Sequence, residues 1–404
     1  MPARTCPRIT ATLLLAVLTS ARLAAQSRSD TAVALHVGGY AIANYYAYDW
    51  QTDPALRNAI DLERAVIEPS YRVSPHLRFE AEVEFEHGGT GATMEFDPFE
   101  ESGEFEQEIE KGGEVEIEKL QADFTLHPAL NVLVGELYVP VGLVSARDDP
   151  DDYFTNTRNE AEAAMIPTVW HSPGVGIYGR VRRLRYRLLT VAGLDATGFT
   201  SGNWVRYGEQ GRFETVNAQD MALVGRLDLI LGGESTVGVS GFYGNSSGNR
   251  PKPDLTAPAY VTVLDAHAAV QTGRLRARGL LMYGHLQNAD LVSDANRNLS
   301  NNLGVKRDPV GSAALAWFAE AGYRVLERAT PLDVFARYDW YDTMYRVTGD
   351  VFDNPRWARH TVTAGLNWYP DPHFIVKASY AWRVVGLPTN NQERTTMLGV
   401  AALF

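Results

Sequence analysis

The sequence predicts an all-β chain, a transmembrane antiparallel β-barrel of sixteen strands. Three observations carry that expectation. Segments of period two recur from end to end, the links between them alternate between short and long, and no run of about 18 apolar residues follows the first 25 positions. The segment RFEAEVEFEH (78–87) shows the period plainly. Glu80, Glu82, Glu84 and Glu86 alternate with Phe79, Ala81, Val83 and Phe85. A strand puts the four carboxylates on one face and the four apolar groups on the other, whereas a helix would scatter both.

Taken in order, the chain opens with what reads as a removable leader at 1–25. Arg4 and Arg8 form a basic start, ATLLLAVLTSA is apolar, and LAAQ offers small residues for cleavage after Ala25, with Arg22 an unusual neighbour. Residues 26–404 then form a single barrel domain. The lone cysteine, Cys6, falls in the leader, which leaves the mature chain neither disulfide nor thiolate metal site. Removing Arg4, Arg8 and Arg22 from 37 basic residues leaves 34 against 49 acidic ones, a net charge of -15 that argues against nucleic acid as a partner.

The sixteen candidate strands lie near 33–47, 60–72, 76–87, 113–127, 130–140, 173–181, 183–195, 220–231, 235–246, 259–271, 274–287, 310–325, 331–344, 358–369, 372–385 and 393–404. Short links such as VSP, HPA, GGE, TG and PDP alternate with long polar ones around 48–59, 88–112, 141–172, 196–219, 247–258, 288–309 and 345–357. Outer-membrane barrels sort their loops this way, with tight periplasmic turns and long extracellular loops. A brief helical signal occurs only at NEAEAAM (159–165).

In such a barrel the outward residues meet lipid and the inward residues meet a water-filled lumen. The expected acidic lining is Glu80, Glu82, Glu84, Glu86, Asp123 and Glu136. The expected basic lining is Arg180, Arg183, Arg185, Arg187, Arg226, Arg274, Arg276, Arg278, Arg337, Lys377 and Arg383. Opposite signs on facing walls would set a field across the lumen, since screening reaches roughly 8 Å at physiological salt. The competing reading is that these residues solvate the wall or form ion pairs.

GEVEIEKLQADFTLH breaks the pattern, because Glu114, Glu116 and Glu118 share parity with the lipid-facing Leu120, Ala122 and Phe124. Either a bulge near Lys119 shifts the register, or 114–118 stands above the bilayer, which is the favoured expectation. Aromatics near strand ends are expected in interfacial belts: Tyr45, Tyr46, Tyr48 and Trp50; Trp317 and Tyr323; Tyr338, Trp340 and Tyr341; Trp368, Tyr369, Tyr380 and Trp382. The final strand ends on Phe404, which resembles the assembly signal of outer-membrane barrels.

GELYVPVGLVSARDD (135–149) resembles the G-x-x-x-x-P-x-G-L segment of the phosphate-selective porin O/P family of outer-membrane porins. The matching positions are Gly135, Pro140, Gly142 and Leu143, followed by PGVGIYG (173–179) where the family has a G-V-x-L-x-G-like strand. The resemblance implies a sixteen-stranded barrel in the bacterial outer membrane, a homotrimer, and passive diffusion of small hydrophilic or ionic solutes. It also implies that 141–172 folds inward as a constriction. That segment carries Asp148, Asp149, Asp151 and Asp152 where an anion channel would carry bases, and no lysine cluster accompanies the arginine rows. The resemblance therefore supports a porin more strongly than it supports phosphate.

The acidic stretch 94–114 could hold a divalent cation, though its spacing is not that of an EF-hand, and a solvated loop is the expectation. Neither a cofactor nor a resident metal site is expected. No catalytic fingerprint is present, and His267 beside Asp265 has no evident serine partner, so the chain is not expected to be an enzyme. The alternatives are a non-conducting barrel that adheres or anchors through acidic loops, and a soluble secreted β protein.

Overall fold

The computed structural model describes residues 35–89, 95–97, 106–108, 115–143, 149–210, 215–297, 299, 307–327 and 330–404. The expected leader at 1–25 lies outside the described residues, as do Asp148, Glu114 and most of the acidic stretch 94–114. The wall strands are β1 (Leu35–Trp50), β2 (Ala59–Ser74), β3 (Leu77–Glu86), β4 (Val115–His127), β5 (Leu130–Tyr138), β6 (His171–Val181), β7 (Leu184–Ala192) and β8 (Met221–Gly232). They continue as β9 (Ser235–Asn245), β10 (Tyr260–Thr272), β11 (Leu275–Leu286), β12 (Ala313–Leu326), β13 (Leu332–Arg346), β14 (Ala358–Asp371), β15 (Phe374–Val385) and β16 (Gln392–Leu403). Each strand pairs antiparallel with the next in sequence, and β16 returns to β1 in register from Tyr40↔Leu403 to Trp50↔Glu393. The sheet is thus a closed sixteen-strand barrel with no free edge. A small hairpin, Glu95–Asp97 with Glu106–Glu108, stands apart from it.

Alternation along the strands separates two environments. Phe79 is 47% exposed on the outer face of β3 while Glu82 is 4% exposed within. On β11, Leu281 is 53% exposed and Met282 is fully buried. Large apolar groups such as Leu120, Val175, Leu188, Leu223, Val239 and Leu398 continue this exposed outer face around the wall. Among the described residues no helix is long and apolar enough to cross a membrane, and these strands are the spanning elements. A closed sixteen-strand barrel with an apolar exterior is the architecture of the bacterial outer membrane, and that is where this chain resides.

Two expectations need correction. Residues 115–118 do not stand clear of the wall: a bulge at Glu118 lets Glu82 pair with Lys119 and Val83 with Ile117. The extra residue reverses parity, so Ile117 is exposed outside while Glu118 is buried inside. The aromatics also divide. Trp317, Tyr323, Trp368, Tyr380 and Trp382 are exposed outside, but Tyr46, Trp50 and Tyr341 share the inward parity. Tyr46 donates to Glu63, Trp50 Nε1 to Thr395, and Tyr341 is buried beside Glu160.

The short helix at Glu160–Ala163 (α1) falls within the helical signal at 159–165, capped by Asn159, whose side chain accepts from the Glu162 amide. A second helix, Ala289–Asn296 (α2), had no comparable periodic signal.

Candidate functional site

The site is built where β5 leaves the wall. Pro140 lacks an amide to continue the ladder, and Gly142 sits at φ +81°, a left-handed turn that favours glycine. The amide of Gly142 donates to Asp265 Oδ2 (3.0 Å) and Ser240 Oγ (3.1 Å) on the inner wall, and that of Leu143 to Glu162 Oε1 (2.8 Å). The residues matched in GELYVPVGL are therefore the hinge that turns the chain inward. Ser240, Asp265 and His267 do meet, but the hydroxyl donates to Asp265 rather than to the imidazole, so the serine lacks the base a nucleophile needs.

From 149 to 170 the chain crosses the inside of the barrel. Arg64 donates to the Tyr153 hydroxyl (3.0 Å), Lys377 Nζ to the Tyr153 and Thr155 carbonyls (2.9 and 3.0 Å), and Asn156 to Asn44 (3.0 Å). The Phe154 ring stacks on Phe335 (5.6 Å) beneath Arg276 (4.3 Å). It occupies the space a side chain at Gly322 would need. The Glu160 carboxylate accepts from Arg383 Nε and Nη2 (3.0 and 2.9 Å) and from Thr361 (2.8 Å). Burial alone would raise its pKa, but the Arg383 guanidinium and Thr361 hold Glu160 down to about 2.

The return of this segment is apolar. Met165, Ile166 and Trp170 pack with Leu133, Leu137, Leu189, Val224, Met282 and Phe318 of the wall, Trp170 lying 4.7 Å from Phe242. Phe199, Trp204 and Val205, from the link after β7, join the same cluster. One half of the interior, from β5 through β7 to β12, is thus a dry core. This departs from a lumen wetted on all sides. Burying a large apolar side chain contributes roughly 1.5–3 kcal/mol, which holds the segment against the wall.

The expected lining residues fall into three groups. Five of the eleven bases are paired within the wall or with the inward segment: Arg226 with Asp228 (2.9 Å), Arg276 with Asp333 (3.3 Å), Arg278 with Glu320 (2.5 Å), Arg337 with Asp339 (2.7 Å) and Arg383 with Glu160. Among the acids, Glu80 pairs with Arg78 (2.9 Å), Glu82 with Lys119 (3.0 Å), Glu84 with Arg64 (3.6 Å), Asp123 with Arg78 (3.2 Å) and Glu136 with His171 (2.8 Å). Glu86 ends β3 opposite Arg64. A second group sits at the short-turn rim rather than along the wall. Arg183 is exposed in the two-residue turn after β6, Arg180 donates to the Arg182 carbonyl, and Arg274 pairs with Glu327 (2.7 Å) in solvent.

The third group lines a cavity of about 490 Å³ in the half of the barrel nearer the short turns. Arg185, Arg187 and Arg226 border it together with Glu68, Glu80, Glu82, Lys119, Asp149 and Asp152. Asp151 is exposed beside it, its carbonyl accepting from Arg276 Nη1 (3.2 Å). Burial, with Glu68, Asp152, Asp151 and Glu82 crowding it, pushes Asp149 up to about 7. Glu68, Lys119 and Glu118 were not among the expected lining residues. For Lys119 and Glu118 the signal was the parity break at Lys119, which a bulge explains, and for Glu68 it was the parity shared with the buried Arg64 and Val66 on β2. The loop-facing apolar groups were likewise unexpected, and their sign was apolar residues at both parities, as in Leu280, Leu281 and Met282.

Known proteins agree with this architecture. No family model matches the chain. An uncharacterized protein of Aquifex aeolicus is 26% identical over 355 residues, 85% of this chain and 74% of its own length. Among solved structures, the Salmonella typhi OmpF complex with daunomycin superposes with a TM-score of 0.56 at 12% identity, covering 92% of this chain and 97% of that one. The outer-membrane channel DcaP of Acinetobacter baumannii gives 0.56 at 10% identity over 94% and 99%. The anion-selective porin of Comamonas acidovorans gives 0.54 at 10% over 92% and 100%. The fold is that of the sixteen-strand outer-membrane porins. At these identities the likeness concerns the fold alone.

Proposed function

We propose that this chain is a passive diffusion channel for small hydrophilic or ionic solutes. The observation that carries the reading is the charged cavity beside an inward-folded segment, inside a closed barrel whose outer face is apolar. Residues 141–172 act as the constriction: among their described residues Gly142 meets the β9–β10 wall and Tyr153 and Asn156 meet β15 and β1, which leaves space on the β2–β3 and β7–β8 side. Glu80, Glu82, Arg185, Arg187 and Arg226 line the conduit, with Asp149 and Asp152 at its narrowing. Charged linings of this kind are how pores discriminate among ions.

The finer family reading extends this to anions, phosphate among them. It is supported by the resemblance at 135–149 and by the basic row Arg185, Arg187 and Arg226. The carboxylates on the opposite side favour a mixed lining over a purely anion-selective one. The working form is a homotrimer in outer-membrane lipid, as the resemblance implies; one solved neighbour, OmpT of Vibrio cholerae, is in trimer form.

Planar-bilayer recording of the purified protein tests the reading. Stable open steps are expected, and a silent bilayer overturns it. The dry core over half the interior favours the alternative of a non-conducting barrel that adheres or anchors through its acidic loops. That reading predicts silence, together with cell or matrix binding that disappears when residues 88–112 are deleted.

A further inference from the structure

The charges bordering the 490 Å³ cavity do not all cancel locally. Glu80 is met by Arg78 (2.9 Å), Glu82 by Lys119 (3.0 Å) and Asp228 by Arg226 (2.9 Å). Neither Arg185 nor Arg187 has a carboxylate within ion-pair distance among the described residues. Arg187 rests near the Tyr178 ring (5.9 Å), whose hydroxyl is committed to Asp123 (2.8 Å), and its cross-strand neighbour is another base, Arg226. On the facing side, Asp149 has no cation within that range among the described residues, and the groups crowding it are the carboxylates of Glu68, Asp152, Asp151 and Glu82. Glu68 has only a share of Lys119, at 4.0 Å, which Glu82 holds at 3.0 Å. The leftover charge is thus two guanidiniums on β7 and two carboxylates on β2 and the inward segment, separated across one cavity.

We infer that this cavity is a binding subsite for small zwitterions, such as an amino acid or short peptide, with the ligand carboxylate on Arg185 and Arg187 and its ammonium on Asp149 and Glu68. The inference rests on the diffusion-channel reading and names a solute class for it. A planar guanidinium suits a carboxylate through paired N–H donors, and a charge-assisted hydrogen bond is stronger than a neutral one. A simple anion would satisfy the arginines but leave Asp149 unpaired and add a charge like its own. A simple cation does the reverse. Arg185 is exposed, but Arg187, Asp149 and Glu68 are half-buried, and only a molecule carrying both signs meets both walls without leaving one of these three uncompensated. The volume lies within the range of about 300–1,000 Å³ typical of small-molecule sites.

The test uses three related probes: glycylglycine, its N-acetylated form, which is an anion, and its C-terminal amide, which is a cation. Each is added to single-channel recordings of the full-length protein slightly above pH 7, where Asp149 is mostly charged. Glycylglycine is expected to interrupt the current at concentrations about tenfold below either singly charged form. Asp149→Asn should reduce its potency to that of the N-acetylated probe, and Arg187→Gln to that of the amide. Heat-modifiable migration on gels confirms that each variant is folded, and Arg185→Gln gives a second variant on the basic side. A conducting channel on which the three probes are equally potent, or all inert, overturns the zwitterion site while leaving the diffusion channel standing. A silent bilayer overturns the channel, and calorimetric titration of glycylglycine into the detergent-solubilised protein then decides the site: heat lost in Asp149→Asn supports it, and no heat in the unaltered protein overturns it.

Discussion

Replacing Glu160 by glutamine tests whether the inward segment is held by a specific charge pair. The Glu160 carboxylate lies between Arg383 (2.9 and 3.0 Å) and Thr361 (2.8 Å), and its pKa falls from an ordinary 4.5 to about 2. That gap corresponds to about 3 kcal/mol favouring the docked, ionised state. The sign is that of a depressed carboxyl group: the contribution is complete above about 4.5 and is lost as pH falls through about 2. In Glu160→Gln, Arg383 keeps Glu393 (2.7 Å), and Asp339 still accepts from the Glu160 and Ala161 amides (3.0 and 3.4 Å). The strand ladder is untouched, so the loss falls on loop docking. A loss of about 3 kcal/mol multiplies the undocked population roughly hundredfold. Proteinase K cleavage within 149–170 should accelerate by up to that factor when the loop re-docks faster than it is cut. Single-channel traces should become noisier, with the same barrel heat-modifiability. Unaltered cleavage and unaltered current noise in Glu160→Gln would refute the latch.

Four further outcomes are expected. Asp149 is neutral below about pH 7 and charged above it, so cation preference, read from the reversal potential in a salt gradient, should rise through that range and stay flat in Asp149→Asn. Gly322→Ala places a methyl group against the Phe154 ring and should lower the heat-modifiability midpoint by an amount equivalent to about 1–3 kcal/mol, with faster loop cleavage. Phe404 is 65% exposed, yet its backbone exchanges hydrogen bonds with Gly39 at the barrel seam (2.9 and 3.0 Å), so deleting it should reduce the fraction assembled in the membrane, measured by gel shift. Nitroxides at Phe79 and Glu82 should report lipid-soluble and water-soluble relaxants respectively; identical surroundings would contradict the two-faced wall.

The strands were legible because a strand bounded by two solvents records both of them in alternate residues, and sixteen segments did so. The turn at Pro140 and Gly142 was not read from the residues themselves: the sequence offered an inward fold of 141–172 only through the family resemblance, and the left-handed φ of Gly142 is visible only in the structure. The acidic face of β3 declared its inward orientation through spacing alone. The bulge at Glu118 left a visible break in parity, but the favoured explanation, a segment standing above the bilayer, was the wrong one of two, as the pairing of Val83 with Ile117 shows.

Sequence alone determined the strands, their alternation of faces and the order of short and long links, because those properties depend on local period and on near neighbours. Tertiary structure alone decided which charges remain unpaired. Arg187 and Arg278 occupy the same kind of position in their strands, yet Arg278 meets Glu320 while Arg187 opens onto a cavity. That difference depends on which strands stand opposite across the barrel and on where the inward segment comes to rest. It therefore involves contacts over distances of a hundred residues or more, such as Lys377 with Tyr153, which periodicity cannot encode.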